Sequence, residues 1–264
     1  YELGLRRLRE DFGLEPVEYP ATRKMGSTPA GARRRPPRGV RRPGDQGGHS
    51  QHRGATTRSP CCPPIWTATC CGRTPKPFFG YSDNTNLLVL LDNLGIVAYH
   101  GGSLMVEFGR PGALHPQTAE SLRAALFTHG EYELAPAKES GSVNRDWKDP
   151  HTFEQEPDLL PPADGWTWHN ADRTVEGTGW GGNLEILAWM LMADREILPP
   201  EAYDGRVLFL DTSEELPSAD EVYRILRNMG ERGLLRRFPR PADGARQELV
   251  LRPATRRRSR CAVP

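Results

Sequence analysis

The chain has 264 residues, 37% of them hydrophobic, and its 35 basic and 34 acidic residues leave a formal charge of +1. That balance singles out no polyanionic partner, and without an apolar run of about 20 residues no transmembrane helix is expected. The chain opens on Tyr1 with no basic n-region, so no signal peptide is expected either, and the sequence reads as a fragment or trimmed form.

In chain order, Leu5, Leu8 and Phe12 recur at helical spacing and predict a helix over Glu2 to Phe12, stopped at Gly13. Leu14 to Tyr19 reads as a short strand. Residues 31–75 then change character: nine Arg, one acid (Asp45) and four of the five Cys. Such a segment cannot bury enough apolar surface to offset its ordering entropy, so irregular structure is expected. Its adjacent pairs Cys61-Cys62 and Cys70-Cys71 fit zinc-ligand spacing poorly, so no metal is expected. It also lacks the Lys and the interleaved aromatics of a folded nucleic-acid binder.

Order returns with a strand over Pro77–Tyr81, a helix over about Asn84–Asn93 and a strand over Gly95–Tyr99. Strand, helix, strand at this spacing is a βαβ unit and implies a parallel sheet. Ser82 stands between the first strand and its helix. A serine on so sharp a turn is lifted out of the sheet with neighbouring N–H groups beside it, which suits a nucleophilic hydroxyl. The alternative is a serine that merely caps the helix. His100, before Gly101-Gly102, is expected to border the same cleft.

Thr118 to Phe127 reads as a helix, and residues 128–165 as a polar linker or a long loop over a site. Trp147 stands there between charged neighbours, a placement suited to stacking on a ligand ring. Gly182 to Ala193 reads as an apolar helix with Glu185 in its first turn. There it either complements the helix dipole or orients a catalytic histidine. Arg206–Asp211 reads as a buried strand. A helix runs from Ser218 to about Asn228, with Ser218 and Glu221 as a capping box. Residues 239–264 again turn Arg-rich, with seven Arg and Cys261, and irregular structure is expected there too.

The strings FFGYSDNTNLL, GIVAYHGGSLMVEFGRPG, WGGNLEIL and LFLDTSEELPSADEVYRILRNMGERGLL resemble the LD-carboxypeptidase family of serine peptidases, most closely its microcin C self-immunity branch. The resemblance covers residues 1–30 and about 76–238. It implies an α/β protein of two domains, an N-terminal parallel-sheet domain with a nucleophile elbow and a C-terminal α/β domain. The divisions are 1–127 (with 31–75 aberrant), a linker over 128–165, and 166–264 (aberrant after 238). It also implies a Ser–His–Glu triad in which Ser82 matches the nucleophile, Glu185 the carboxylate and the Asp83 N–H one oxyanion-hole donor. Trp147 becomes the candidate ring for stacking a substrate base. The family's histidine lies well after the GGNLE helix, and this sequence has no His beyond His169.

The implied substrate is a short peptide or a peptidyl-nucleotide amide, cleaved without a cofactor by a cytoplasmic enzyme. Family members are commonly dimers, so the resemblance brings a homodimer with it; neither nucleic acid nor membrane is an expected partner. Residues 31–75 and 239–264 depart from the family and look frameshifted. Shifted-frame codons for Ala55 to Arg73 can spell DDQITVLPPHLDGDVLR, and those for Arg240 to Arg252 can spell GPLMGRAKSWSF, both family-like. With the base missing and one oxyanion turn overwritten, impaired activity is expected. Two other readings stand beside this one: a non-catalytic ligand-binding relative and an Arg-rich nucleic-acid-binding protein.

Overall fold

The computed structural model describes residues 1–19, 22–23, 48–49, 76–141, 149, 151, 154–161, 166, 174–213, 215–238 and 249–251. Trp147 and all five Cys lie outside the described residues. Helix α1 (Glu2–Glu10) buries Leu5 and Leu8, which join Phe12, Phe79, Leu104, Phe108 and Leu122 in one apolar cluster. Arg7 projects from the same face. Its guanidinium is satisfied by the Phe108, Arg110 and Gly112 carbonyls, so a buried cation fixes the loop after the first sheet. Leu14–Tyr19 is irregular rather than the expected strand. Pro16 lacks an N–H for a ladder.

The first sheet is parallel, in the order β1 (Gly48–His49), β2 (Phe78–Gly80), β3 (Ala98–His100). Helix α2 (Thr85–Asn93) connects β2 to β3, the βαβ unit that the sequence spacing predicts. Helix α3 (Pro116–Phe127) follows, with Pro116 at its first position, where a missing N–H costs nothing. In the second half, β4 (Val175–Gly177) leads to β5 (Gly179–Asn183) and α4 (Leu184–Met192). Strand β6 (Val207–Asp211) pairs in parallel with β5, Gly179 opposite Val207 and Asn183 opposite Asp211. Helix α5 (Ala219–Glu231) starts where predicted, with the Ser218 hydroxyl accepting the Glu221 N–H at 3.2 Å. Strand β7 (Leu249–Leu251) pairs in parallel with β4.

Two corrections follow. The helix expected from Gly182 starts at Leu184, and Gly179–Asn183 is a strand that the glycine-rich string GWGGN disguises. Strands β1 and β7 fall inside the two segments expected to be irregular. The second core joins both halves: Val89 of α2 packs with Trp180, Leu187, Leu191, Tyr203, Met229 and Phe238. Trp180 is thus a core ring, edge-on to Tyr203 at 4.7 Å.

Candidate active site

Parallel strands end together, and here the ends of β2, β3, β5 and β6 gather the polar groups. In α/β sheets ligands bind at such carboxyl edges. Strand β2 stops at Gly80, Tyr81 remains extended, and Ser82 turns to φ +54° before a 3₁₀ turn (Ser82–Asn84) runs into α2. A non-glycine residue held there stores about 1–2 kcal/mol of strain, a recurrent property of nucleophile elbows. Gly80 makes the turn feasible: a Cβ on it would stand 2.6 Å from the Asn84 Cβ. The Ser82 hydroxyl caps neither the 3₁₀ turn nor α2, so the helix-cap alternative is not what the side chain does. Asp83 follows in the same turn, and its carbonyl accepts from the Asn86 amide at 3.0 Å.

Glu185 is the second residue of α4. The helix is capped by Asn183, whose side-chain oxygen accepts the Ile186 N–H at 3.0 Å. One Glu185 oxygen, Oε1, accepts the Ser213 N–H at 3.0 Å and the Ser213 hydroxyl at 2.6 Å. The other, Oε2, is buried and has no hydrogen-bond partner among the described residues. Burial pushes the Glu185 carboxyl up, but the Ser213 hydroxyl and N–H, its own N–H and the nearby Asn183 amide outweigh it. The net result is a pKa below the ordinary carboxylate value, so Glu185 is ionised at neutral pH.

His100 closes β3 directly opposite Gly80. Its ring lies 6.3 Å from that of Tyr81 and 5.3 Å from that of Phe209, and Nε2 stands 3.5 Å from Asp211 Oδ1. Burial holds the His100 pKa below the ordinary value, with the Asp211 charge opposing. Asp211 is pushed up, first by burial and then by the Glu185 charge, while His100 pulls it down.

The sequence reading thus finds Ser82, Asp83, Glu185 and His100 at one edge. It missed Asp211 and Ser213; the available signal was an acid closing the apolar string RVLFLD, a strand that is half-buried, with Phe209 exposed, rather than buried as expected. A buried bond clamps the edge from both sides, the Asn183 N–H donating to the Thr85 hydroxyl at 3.0 Å. Gly182 permits this approach, since a Cβ there would meet the Thr85 side chain at 2.7 Å. Among the described residues no group of three or more His, Cys, Asp or Glu is arranged to hold a metal ion.

A serine on a strained strand–helix turn, at the carboxyl edge of parallel strands and sharing that edge with an ionised carboxylate, is the architecture of serine hydrolases. Residues 176–239 match the family model described as the LD-carboxypeptidase C-terminal domain. That match covers about a quarter of the chain, and the fold as a whole is similar to that of MccF-like structures. An MccF-like protein from Streptococcus pneumoniae, solved in complex with AMP, superposes with a TM-score of 0.70 at 17% identity over 90% of this chain and 74% of that one. The microcin C7 self immunity protein MccF, in complex with aspartyl sulfamoyl adenosine, gives 0.70 at 22% identity over 90% and 69%. A muramoyltetrapeptide carboxypeptidase from Oxalobacter formigenes gives 0.60 at 22% over 89% and 69%. A sequence search of curated proteins finds no match.

Proposed function

We propose that this chain descends from serine carboxypeptidases and amidases of the LD-carboxypeptidase and microcin C immunity type, and that it works poorly in its present form. Ser82 is the nucleophile, Glu185 the triad carboxylate, and the Asp83 N–H one donor to the tetrahedral oxyanion. The observation that carries this reading is Ser82 at φ +54° on the edge where the ionised Glu185 keeps Oε2 without a partner among the described residues. That buried oxygen is the acceptor a triad histidine would use. The sequence has no His beyond His169. Loss of a triad member costs about 10⁴-fold or more in rate, and loss of one oxyanion donor about 10²–10³-fold.

The substrate class is a short peptide or a peptidyl-nucleotide amide. Two relatives of this fold bind AMP and aspartyl sulfamoyl adenosine, which supports the nucleotide alternative. Trp147 is the ring proposed to stack on the base. The reading further carries a cytoplasmic homodimer acting on a small substrate rather than on nucleic acid.

Calorimetry with aspartyl sulfamoyl adenosine, paired with chromatographic assay of its hydrolysis and of an LD-tetrapeptide, tests the proposal. Binding is expected, with hydrolysis at or near background, and Ser82→Ala retaining affinity. Fast turnover abolished by Ser82→Ala would keep the class and overturn the impairment. No binding, together with salt-sensitive affinity for DNA, would favour the Arg-rich alternative instead. Stacking on one base is worth about 1–3 kcal/mol, so Trp147→Ala is expected to weaken binding of the adenosine analogue by about tenfold or more. An unchanged dissociation constant would remove Trp147 from the site.

A further inference from the structure

With no histidine available from beyond residue 169, Ser82 would lack a base, yet an imidazole stands at the elbow itself. His100 is in register with Gly80, two residues before Ser82. Paired strands run about 4.8 Å apart, so the backbone of His100 stands one strand spacing from Gly80, two residues before the serine. The ring contact with Tyr81 at 6.3 Å shows His100 lying against the residue that precedes the serine. Behind it, Nε2 stands 3.5 Å from Asp211 Oδ1, a buried oxygen with no hydrogen-bond partner among the described residues. Asp211 is fixed at the end of β6, paired with Asn183 of β5.

We propose that His100, oriented by Asp211, is the general base for Ser82 in this chain. The inference rests on the nucleophile reading of Ser82. In the step, neutral His100 keeps its Nε2 proton toward Asp211 and takes the Ser82 hydroxyl proton on Nδ1 as Oγ attacks. The Asp211 carboxylate stabilises the imidazolium, the role a triad acid performs. Burial favours the neutral imidazole that the step needs. The charged and titratable groups around it are Asp211 on β6, Glu185 on α4 beside Asp211, and Tyr81, whose hydroxyl bonds Glu107. This base activates the serine for acylation without restoring the second oxyanion donor. It is therefore compatible with poor amide hydrolysis.

A fluorophosphonate reads acylation alone. Ser82 Oγ forms a bond to phosphorus, the P–F bond breaks, fluoride leaves with the electron pair, and the proton passes from His100 to water. With the full chain, mass spectrometry is expected to find the label on Ser82. His100→Gln is expected to slow labelling about 100-fold or more, the usual scale of general-base catalysis. Added imidazole is expected to restore part of the rate in His100→Ala, while His115→Gln labels like the parent. Asp211→Asn removes the charge that favours the imidazolium, so labelling slows and its pH midpoint moves lower. A folded His100→Gln variant, checked by thermal melting, that labels at the parental rate would overturn the base and leave the nucleophile standing. If His100→Gln fails to fold, Asp211→Asn decides, and an unchanged rate and midpoint would overturn the inference. A parent that carries no label on Ser82 overturns both readings.

Discussion

At Gly80 one hydrogen atom decides whether the elbow can close. A methyl group there would sit 2.6 Å from the Asn84 Cβ, on the short turn that also holds Ser82 at positive φ. Overpacking of this kind costs about 1–3 kcal/mol. Gly80→Ala is therefore expected to lower stability in urea by that amount and to lose Ser82 labelling disproportionately; a variant with parental labelling would show that the elbow tolerates the opening. Glu107 works one layer behind. Its Oε2 accepts the Ser103 N–H at 2.6 Å and it also bonds the Tyr81 hydroxyl. Burial is the largest influence and pushes its carboxyl above the ordinary value, against these hydrogen bonds. A raised carboxyl binds its proton more tightly in the folded state. Its favourable contribution is then complete below the ordinary carboxylate pKa and is lost as pH rises through the folded one. Glu107→Gln keeps an acceptor for Ser103 without the charge. It is expected to raise urea stability at pH 7 and to leave it unchanged near pH 4; equal effects at both pH values would exclude a titration origin.

Helix α4 shows what an element contributes beyond its length. It is short and apolar, and its first turn holds Glu185 only because Asn183 satisfies the Ile186 N–H and ends β5 at the same point. Removing such a cap costs about 0.5–2 kcal/mol, so Asn183→Ala is expected to lower stability by that order. The α-helices were legible in the sequence because apolar residues recur every three to four positions, as in Leu5, Leu8 and Phe12. Strand β5 was not, since its glycines carry no pattern. They are there because the backbone comes close to Thr85 and to the Phe209 carbonyl, contacts made by residues distant in sequence. The site divides in the same way. Ser82 and Glu185 were singled out as candidates from local strings, whereas the pairing of His100 with Asp211 depends on two strands that are 111 positions apart in numbering and meet only in the fold. The positive φ of Ser82 was likewise invisible, since serine is not among the residue types enriched there.

At the scale of the molecule, the described residues form three small parallel sheets, and a few polar contacts join the two halves above a shared apolar core. Arg206 on the second half pairs with Asp92 of α2 at 2.5 Å, and the Asn93 amide donates to the Glu196 carbonyl at 2.9 Å. The deepest of these joints is Thr85, fully buried, whose hydroxyl accepts the Asn183 N–H directly under the candidate site. Replacing Thr85 by Val preserves shape and removes that acceptor, stranding a buried N–H at a cost of about 1–3 kcal/mol. In a chain of this size each kcal/mol lowers the melting temperature by about 2–4 °C. The joint anchors α2 just after Ser82 on one side and α4 just before Glu185 on the other, so loss of the bond is expected to act on both elements together. Thr85→Val should thus melt several degrees lower and label Ser82 more slowly, with the two effects appearing together. A variant that melts lower yet labels at the parental rate would mean that the sheets support each other's stability without setting the geometry of the elbow.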